Sequence, residues 1–175
     1  MTLLEIAFAL PIVFLGIGLF VQMLTAGIRL REVGRDELHA IAAAQEAMER
    51  MHNESFREIF RLYNQDPFDD PGGPGTAPGH EFAVELSLDQ AQGNGEFLLP
   101  VLNTGTEVAP VWEVREDVNE ASLGMPRDLN CDVLVDDFDH SEDYTILPVQ
   151  VRVRWEGKHG PRETSLHTLL AEVRE

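Results

Sequence analysis

The chain has 175 residues, of which 31 are acidic and 13 basic, and its formal net charge is −18 at pH 7. Direct binding to nucleic acid or to anionic lipid would require a basic surface, so this balance argues against both. The length allows one long helix and one modest domain. Cys131 is the single cysteine, which excludes an intrachain disulfide; we expect it to be buried.

An uncharged apolar segment lies at the start of the chain. Residues 6–28 contain no Asp, Glu, Lys or Arg, and 23 residues of helix span roughly 35 Å, enough to cross the hydrocarbon core of a bilayer. Glu5 immediately precedes this segment. An unpaired acid inside a membrane helix costs about 3 kcal/mol on insertion scales. The position of Glu5 therefore predicts that its carboxylate finds a partner.

Three residues weaken the helix within this segment. Pro11 has no N–H to donate to the carbonyl of Ala7, and Gly16 and Gly18 each cost nearly 1 kcal/mol of helix propensity relative to alanine. In a bilayer the backbone must stay hydrogen-bonded, so we expect helix there, with a kink at Pro11. Where packing against other helices replaces the bilayer, we predict a kink or a non-helical break within residues 7–19, followed by continuous helix from about Leu24 to Leu62.

The segment of residues 29–63 is predicted to continue the helix as an amphipathic half. Its apolar or small residues recur at helical spacing and predict a stripe that faces a sheet. Residues 66–80 contain four prolines and four glycines, which predicts a loop. The predicted stripe comprises Leu38, Ile41, Gln45, Met48, His52, Ser55, Ile59 and Leu62.

The rest of the chain is predicted to form strands. The clearest pair is a hairpin in which Val149, Val151, Val153 and Trp155 share one face of residues 149–155, and the chain turns through glycines into residues 163–173. We expect an α+β fold with a four- to six-stranded antiparallel sheet wrapped on the amphipathic half of the helix. The predicted segments are 1–28, 29–63, 64–80 and 81–175, and the other strands are 81–88, 96–102, 108–114 and 131–135.

One acidic cluster has the chemistry of a cation site. Six carboxylates fall within twelve residues, and hard oxygen ligands at that density suit Ca²⁺. The spacing is not that of an EF-hand loop, so an ordinary acidic loop remains an alternative. Phe138 and Tyr144 are expected to pack this loop against the sheet. The predicted calcium ligands are Asp132, Asp136, Asp137, Asp139, Glu142 and Asp143.

The sequence gives little support for catalysis. The six histidines do not have a metal-ligand spacing, no Gly-x-Ser-x-Gly motif is present, and a lone cysteine without a recognisable partner histidine is a weak nucleophile candidate. We therefore expect no enzyme activity and no cofactor other than calcium at the acidic cluster.

The N-terminal motif resembles that of a known family. Met1-Thr2-Leu3-Leu4-Glu5 followed by an apolar helix is similar to the start of mature type IV pilins and pseudopilins. Residues 42–51 resemble the Ala-Gln-x-x-Met-Glu-x-[Leu/Met] pattern of minor pilins and minor pseudopilins, and the C-terminal hairpin is similar to their closing hairpin. Many members carry a proline where this chain has Gln22, and residues 66–144 match no pattern of the family.

The resemblance implies a type IV pilin-like fold and a structural function. Met1 would be the N-terminus made by a prepilin peptidase and usually methylated, so we expect the numbering to be that of the processed chain. Glu5 would pair with the α-amino group of a neighbouring Met1, with Thr2 at the same contact. The implied partners are copies of the chain or other pilins and the assembly machinery of the inner membrane, and the implied location changes from inner membrane to extracellular filament.

Two alternatives remain. The nearer one is a minor pseudopilin, which caps a short periplasmic pseudopilus in type II secretion. The other is a single-pass envelope protein whose acidic domain binds calcium or another ligand; in that case Glu5 would be incidental.

Overall fold

A computed structural model describes residues 3–86, 92–106, 109–157 and 160–172. The fold is α+β with an N-terminal apolar helix and an antiparallel sheet, as predicted. The chain divides into two compact units, Met1–Leu38 and His39–Glu175. The elements are helix α1 Leu3–His52, a 3₁₀ helix Phe56–Glu58, α2 Ile59–Tyr63, β1 Glu81–Glu85, β2 Gln92–Leu98, β3 Val101–Asn103, β4 Trp112–Val114, a 3₁₀ helix Ala121–Leu123, β5 Ile146–Gly157 and β6 Gly160–Ala171.

Helix α1 ends earlier than the sequence suggested. It stops at His52, so the prediction of continuous helix to about residue 62 is wrong. The His52 ring hydrogen-bonds the Met48 carbonyl at 2.9 Å, and the Asn53 side chain donates to the Glu49 carbonyl at 2.9 Å. These side chains satisfy carbonyls at the helix end, and Ser55 is extended, with ψ 125°. Polar residues that bond nearby backbone favour helix ends, which explains the early stop.

The buried stripe of the second unit differs in part from the predicted one. Met48 and Ile59 are buried as expected, whereas Leu38, at the end of the first unit, is 68% exposed. Alanines make up much of the buried face of α1, where larger side chains were predicted. Two aromatic residues of α2 are also buried. The buried residues of these helices are Ala40, Ala44, Ala47, Met48, Met51, Ile59, Phe60 and Tyr63.

The main sheet has four antiparallel strands in the order β1-β2-β5-β6, and β3 pairs with β4 separately. The predicted C-terminal hairpin is confirmed: Val153 lies opposite Thr164 in the β5–β6 register. Val149, Val151, Val153 and Trp155 are all buried and belong to the same hydrophobic core as the buried alanines of α1. Alternation of apolar and polar residues is what a sheet with one covered face requires.

The strand predicted at residues 131–135 does not form. Cys131 and Val133 have positive φ angles of 68° and 74°, which an extended strand does not allow. The carboxylate of Asp128 accepts hydrogen bonds from the N–H groups of both residues, at 2.6 and 2.7 Å. One side chain thus holds two backbone donors that a sheet would have used. Cys131 is also exposed, contrary to expectation.

Candidate functional site

The first candidate site is the apolar part of α1. Residues Leu10–Ile28 form a stretch long and apolar enough to cross a membrane, by length and composition, and none of it is buried; a signal sequence near the N-terminus would meet the same criterion. The exposed side chains in this part include Phe8, Leu10, Ile12, Val13, Phe14, Leu15, Ile17, Leu19, Phe20, Val21, Met23, Leu24 and Ile28. Such a surface is unfavourable in water and calls for a lipid or protein environment.

The structure describes only some of the residues predicted to act in this segment. Glu5 is within α1, although its side chain is outside the described part of the structure; Met1 and Thr2 precede the described residues. Pro11 lies inside the helix. A Cβ added at Gly16 or Gly18 would meet no described atom within 4 Å, apart from the neighbouring helix backbone. The fold of the described chain therefore does not itself require glycine at these two positions.

The second candidate site lies in the β4–β5 loop, residues 115–145, and is centred on Glu116. This side chain is fully buried. Its Oε1 accepts hydrogen bonds from the N–H groups of Leu129 at 2.6 Å and Asn130 at 3.3 Å, and its Oε2 accepts one from Asp136 at 3.3 Å. Buried carboxylates need such partners to offset desolvation. Glu116 therefore links distant parts of the loop to the end of β4.

His140 is the second buried polar residue of this loop, at 4% exposure. Its Nε2 lies 3.1 Å from Asp136 Oδ1 and 3.9 Å from Glu116 Oε1, and its Nδ1 lies 3.0 Å from Asp143 Oδ1. Burial lowers the pKa of His140, but the hydrogen bonds to Asp136 and Asp143, together with the negative charges of Glu116 and Asp143, outweigh it, so the pKa is raised above the ordinary value. The imidazolium form can donate to both carboxylates at once.

The carboxylate of Asp136 is correspondingly stabilised in its charged form. The backbone N–H of Phe138 donates to it at 2.9 Å, and His140 is its second partner. Together they lower the pKa of Asp136.

Glu116, Asp136 and His140 can each offer one ligand atom, and these atoms lie within 4.8 Å of one another. Two carboxylates and one imidazole form a mixed oxygen and nitrogen donor set, which suits a transition ion such as Zn²⁺ better than an all-oxygen calcium site. Sequence reasoning missed Glu116 because it lies outside the acidic run. Only the proximity of its buried carboxylate in three dimensions connects it to that run.

The six predicted calcium ligands are only partly brought together. Asp136 belongs to the cluster and Asp143 contacts the other ring nitrogen of His140. Glu142 pairs with Arg61. The remaining three, Asp132, Asp137 and Asp139, are exposed. Asp132 accepts a hydrogen bond from the Leu134 N–H, and Asp139 accepts one from the Ser141 N–H. Local turns that bond carboxylates to backbone N–H groups disperse the run. Calcium binding stays a prediction.

The two aromatic residues of the acidic run have different environments. Tyr144 is fully buried; its hydroxyl donates to the Phe56 carbonyl at 2.8 Å, and the two rings are 5.0 Å apart. Phe138 is 68% exposed. Tyr144 belongs to the same hydrophobic core as the buried valines of β5, and its cited contacts are with Phe56. The expected packing against the sheet is wrong for Phe138.

No family model, curated protein or solved structure matches this chain.

Proposed function

We propose that the chain is a structural subunit of a type IV pilus-like filament, held in the inner membrane before assembly and polymerised through α1 into an extracellular fibre. The observation that supports this function is the exposed apolar surface of Leu10–Ile28. Once such a surface leaves the bilayer, it can avoid water only by packing against other apolar stems. Copies of the chain or other pilins supply those stems, and the assembly machinery of the inner membrane is the second partner. The proposal includes no enzymatic step.

The family motif adds a specific contact to this packing. Glu5 of one subunit would pair with the α-amino group of a neighbouring Met1, beside Thr2, in an apolar filament core. Pairing compensates two charges that would each be costly alone. Gly16 and Gly18 have open space around them in the single chain, and small residues allow helices to approach closely. In the type IV pilin-like arrangement that we propose, the C-terminal part of α1 packs on the sheet.

The first prediction tests Glu5. We expect Glu5→Ala to leave the protein in the membrane but to reduce its entry into filaments severely, because the substitution removes the insertion cost and also the contact to the next subunit. The measurement compares the amount of subunit in membranes and in sheared filaments. Glu49→Ala is the matched control, because Glu49 is an exposed acid of the same helix outside the apolar stretch. Normal amounts of the Glu5 variant in filaments would contradict the mechanism.

Micrographs of negatively stained, sheared material, labelled with an antibody against residues 39–175, separate the alternatives. A minor pseudopilin would depend on Glu5 for assembly in the periplasm but would not decorate long surface fibres. A single-pass envelope protein with a calcium- or ligand-binding domain would show neither fibres nor a Glu5 effect. The cluster of Glu116, Asp136 and His140 is the observation that favours this last alternative.

A further inference from the structure

Four large apolar side chains are exposed on the β4–β5 loop. Val133 is 88% exposed, Leu134 64%, Val135 50% and Phe138 68%. We call these four residues the apolar tip. A concentration of exposed apolar side chains, as distinct from scattered single ones, commonly marks an interaction site.

The backbone of the apolar tip is held in place by carboxylates. Asp132 Oδ1 accepts the N–H of Leu134 at 2.8 Å, and Asp136 Oδ1 accepts that of Phe138 at 2.9 Å. The Val133 N–H is bonded by Asp128 at 2.7 Å. The N–H groups of three of its four residues are hydrogen-bonded in this way, so the backbone of the tip has a defined conformation. It therefore loses little conformational entropy when it binds a partner.

One residue of the tip is in a strained conformation. Val133 has φ 74°, a left-handed conformation that is a genuine outlier for a β-branched residue. Strain of this kind persists only where surrounding contacts enforce it, and it is concentrated at functional sites. Val133 is thus an exposed apolar residue in a backbone conformation that Asn or Gly would adopt more easily.

The charges around the tip restrict what can bind it. Residues 128–151 contain seven carboxylates and no Lys or Arg, and Asp132, Asp137 and Asp139 are exposed. Arginines from other elements approach this loop, but each is paired with an acid: Arg57 with Glu172, Arg61 with Glu142 and Arg115 with Asp117. A second copy is a poor partner, because residues 64–175 carry 23 acidic against seven basic side chains. Anionic lipid is disfavoured for the same reason. A complementary surface must combine an apolar cavity with a cationic border.

We propose that the apolar tip docks into a different protein, in an apolar cavity bordered by lysine or arginine side chains. Leu134 and Phe138 are the apolar anchors, and the exposed carboxylates select the cationic border. The proposal does not depend on the filament function, because a filament subunit, a pseudopilin or an envelope protein could each present this tip.

Site-specific photo-crosslinking of the full chain in its native cells tests the proposal. Benzoylphenylalanine replaces Phe138, or Phe68 as the matched control, which is also an exposed phenylalanine, at 80%, but on the loop before β1. We expect position 138 to give an adduct with one other protein, whose crosslinked peptide contains apolar residues next to Lys or Arg. The adduct should be absent from position 68.

Second substitutions in the crosslinking chain identify the contacts. Leu134→Ser, Val133→Asn and the pair Asp137→Asn with Asp139→Asn should each reduce the adduct several-fold, and high salt should do the same in detergent extracts. Val133→Asn also guards against misfolding, because asparagine tolerates the left-handed conformation. Phe68→Ser should have no effect.

The following outcomes would each overturn the proposal: no adduct at position 138, equal yield from position 68, an adduct with lipid or with a second copy of the chain, a crosslinked peptide without a basic residue, or a yield insensitive to these substitutions and to salt. Failure of the Glu5 experiment with success of this one would leave the docking site in place on a protein of another function.

Discussion

The Glu116 carboxylate joins three backbone positions of the β4–β5 loop. It accepts three backbone hydrogen bonds, from Leu129, Asn130 and Asp136, while fully buried. A donor left without its acceptor in such a place costs far more than the hydrogen bond contributes when formed. Asp136 in turn reaches His140, so the effect of changing Glu116 should extend to the whole loop.

We predict that Glu116→Gln lowers the free energy of unfolding by about 2 kcal/mol, because the amide presents an N–H group where a backbone donor needs an acceptor. Urea unfolding of the full chain in detergent, followed by tryptophan fluorescence, measures this. Glu156→Gln is the control, because Glu156 is an exposed acid of β5. Equal effects of the two substitutions would show that the hydrogen bonds of Glu116 are not important for stability.

The raised pKa of His140 predicts a pH dependence of stability. Asp136, Asp143 and Glu116 face this ring and favour its protonated form in the folded state, so the stabilising contribution is fully present below the unfolded pKa of about 6.5 and is lost as pH rises through the folded pKa. The difference in unfolding free energy between wild type and His140→Gln should therefore become smaller as the pH rises through the folded pKa of His140. His167→Gln is the control, since His167 is exposed; a difference that grows with pH would contradict the prediction.

At the scale of elements, the sequence predicted those whose pattern reflects one buried face. The β5–β6 hairpin was predicted because its valines alternate with polar residues, and the apolar part of α1 because it is long and uncharged. The end of α1 and the loop at residues 131–135 were not predicted, because hydrogen bonds between side chains and backbone decide them. The Asn53 side chain donates to the Glu49 carbonyl, and the Asp128 carboxylate accepts from the Cys131 N–H. Residues 131–135 have strand propensity, yet a single upstream carboxylate overrides it.

The candidate site was predictable only in outline, for a related reason. Asp136 was singled out by the density of acids around it, whereas the role expected of Glu5 stays a prediction, because its side chain lies outside the described part of the structure. Glu116 and His140 became visible only when the fold brought the end of β4 next to the loop. Their signal is burial of a charged and an ionisable residue, which depends on tertiary contacts that no local pattern records.

Helix α1 is helical from Leu3 to His52 in the single chain, and we predict a different state after assembly. Neighbouring stems can shield unpaired backbone groups, so the weakening by Pro11, Gly16 and Gly18 should produce a kink or a non-helical break within residues 7–19. A map of the assembled filament would measure it. A straight, unbroken helix over residues 4–30 would contradict this and would assign these three residues to close stem packing.

For the molecule as a whole, the net charge of −18 predicts that salt is stabilising, and a specifically bound cation would stabilise it in a second way. Any salt screens the repulsion among the carboxylates, whereas a bound ion adds stability through its affinity for the native state alone. A difference between cations at matched ionic strength therefore distinguishes a bound ion from charge screening.

We predict that Ca²⁺ raises the midpoint of thermal unfolding of the full chain in detergent more than Mg²⁺ or NaCl at matched ionic strength. Asp136→Asn with Asp137→Asn should remove the excess. Shifts of equal size with all three salts would reduce the calcium prediction to charge screening. A larger shift with Zn²⁺ that needs His140 would instead identify the mixed donor set of Glu116, Asp136 and His140.

Cys131 allows the protein to be labelled at a single site. Its thiol is exposed and is the single one in the chain, so a maleimide dye would attach once per subunit without any engineered residue. If the chain polymerises, fluorescence along a labelled fibre would be proportional to the number of subunits per unit length. Fluorescence microscopy of labelled living cells could then follow the growth and loss of fibres. Stepwise photobleaching could distinguish a fibre built of this subunit from one that carries it at a single position.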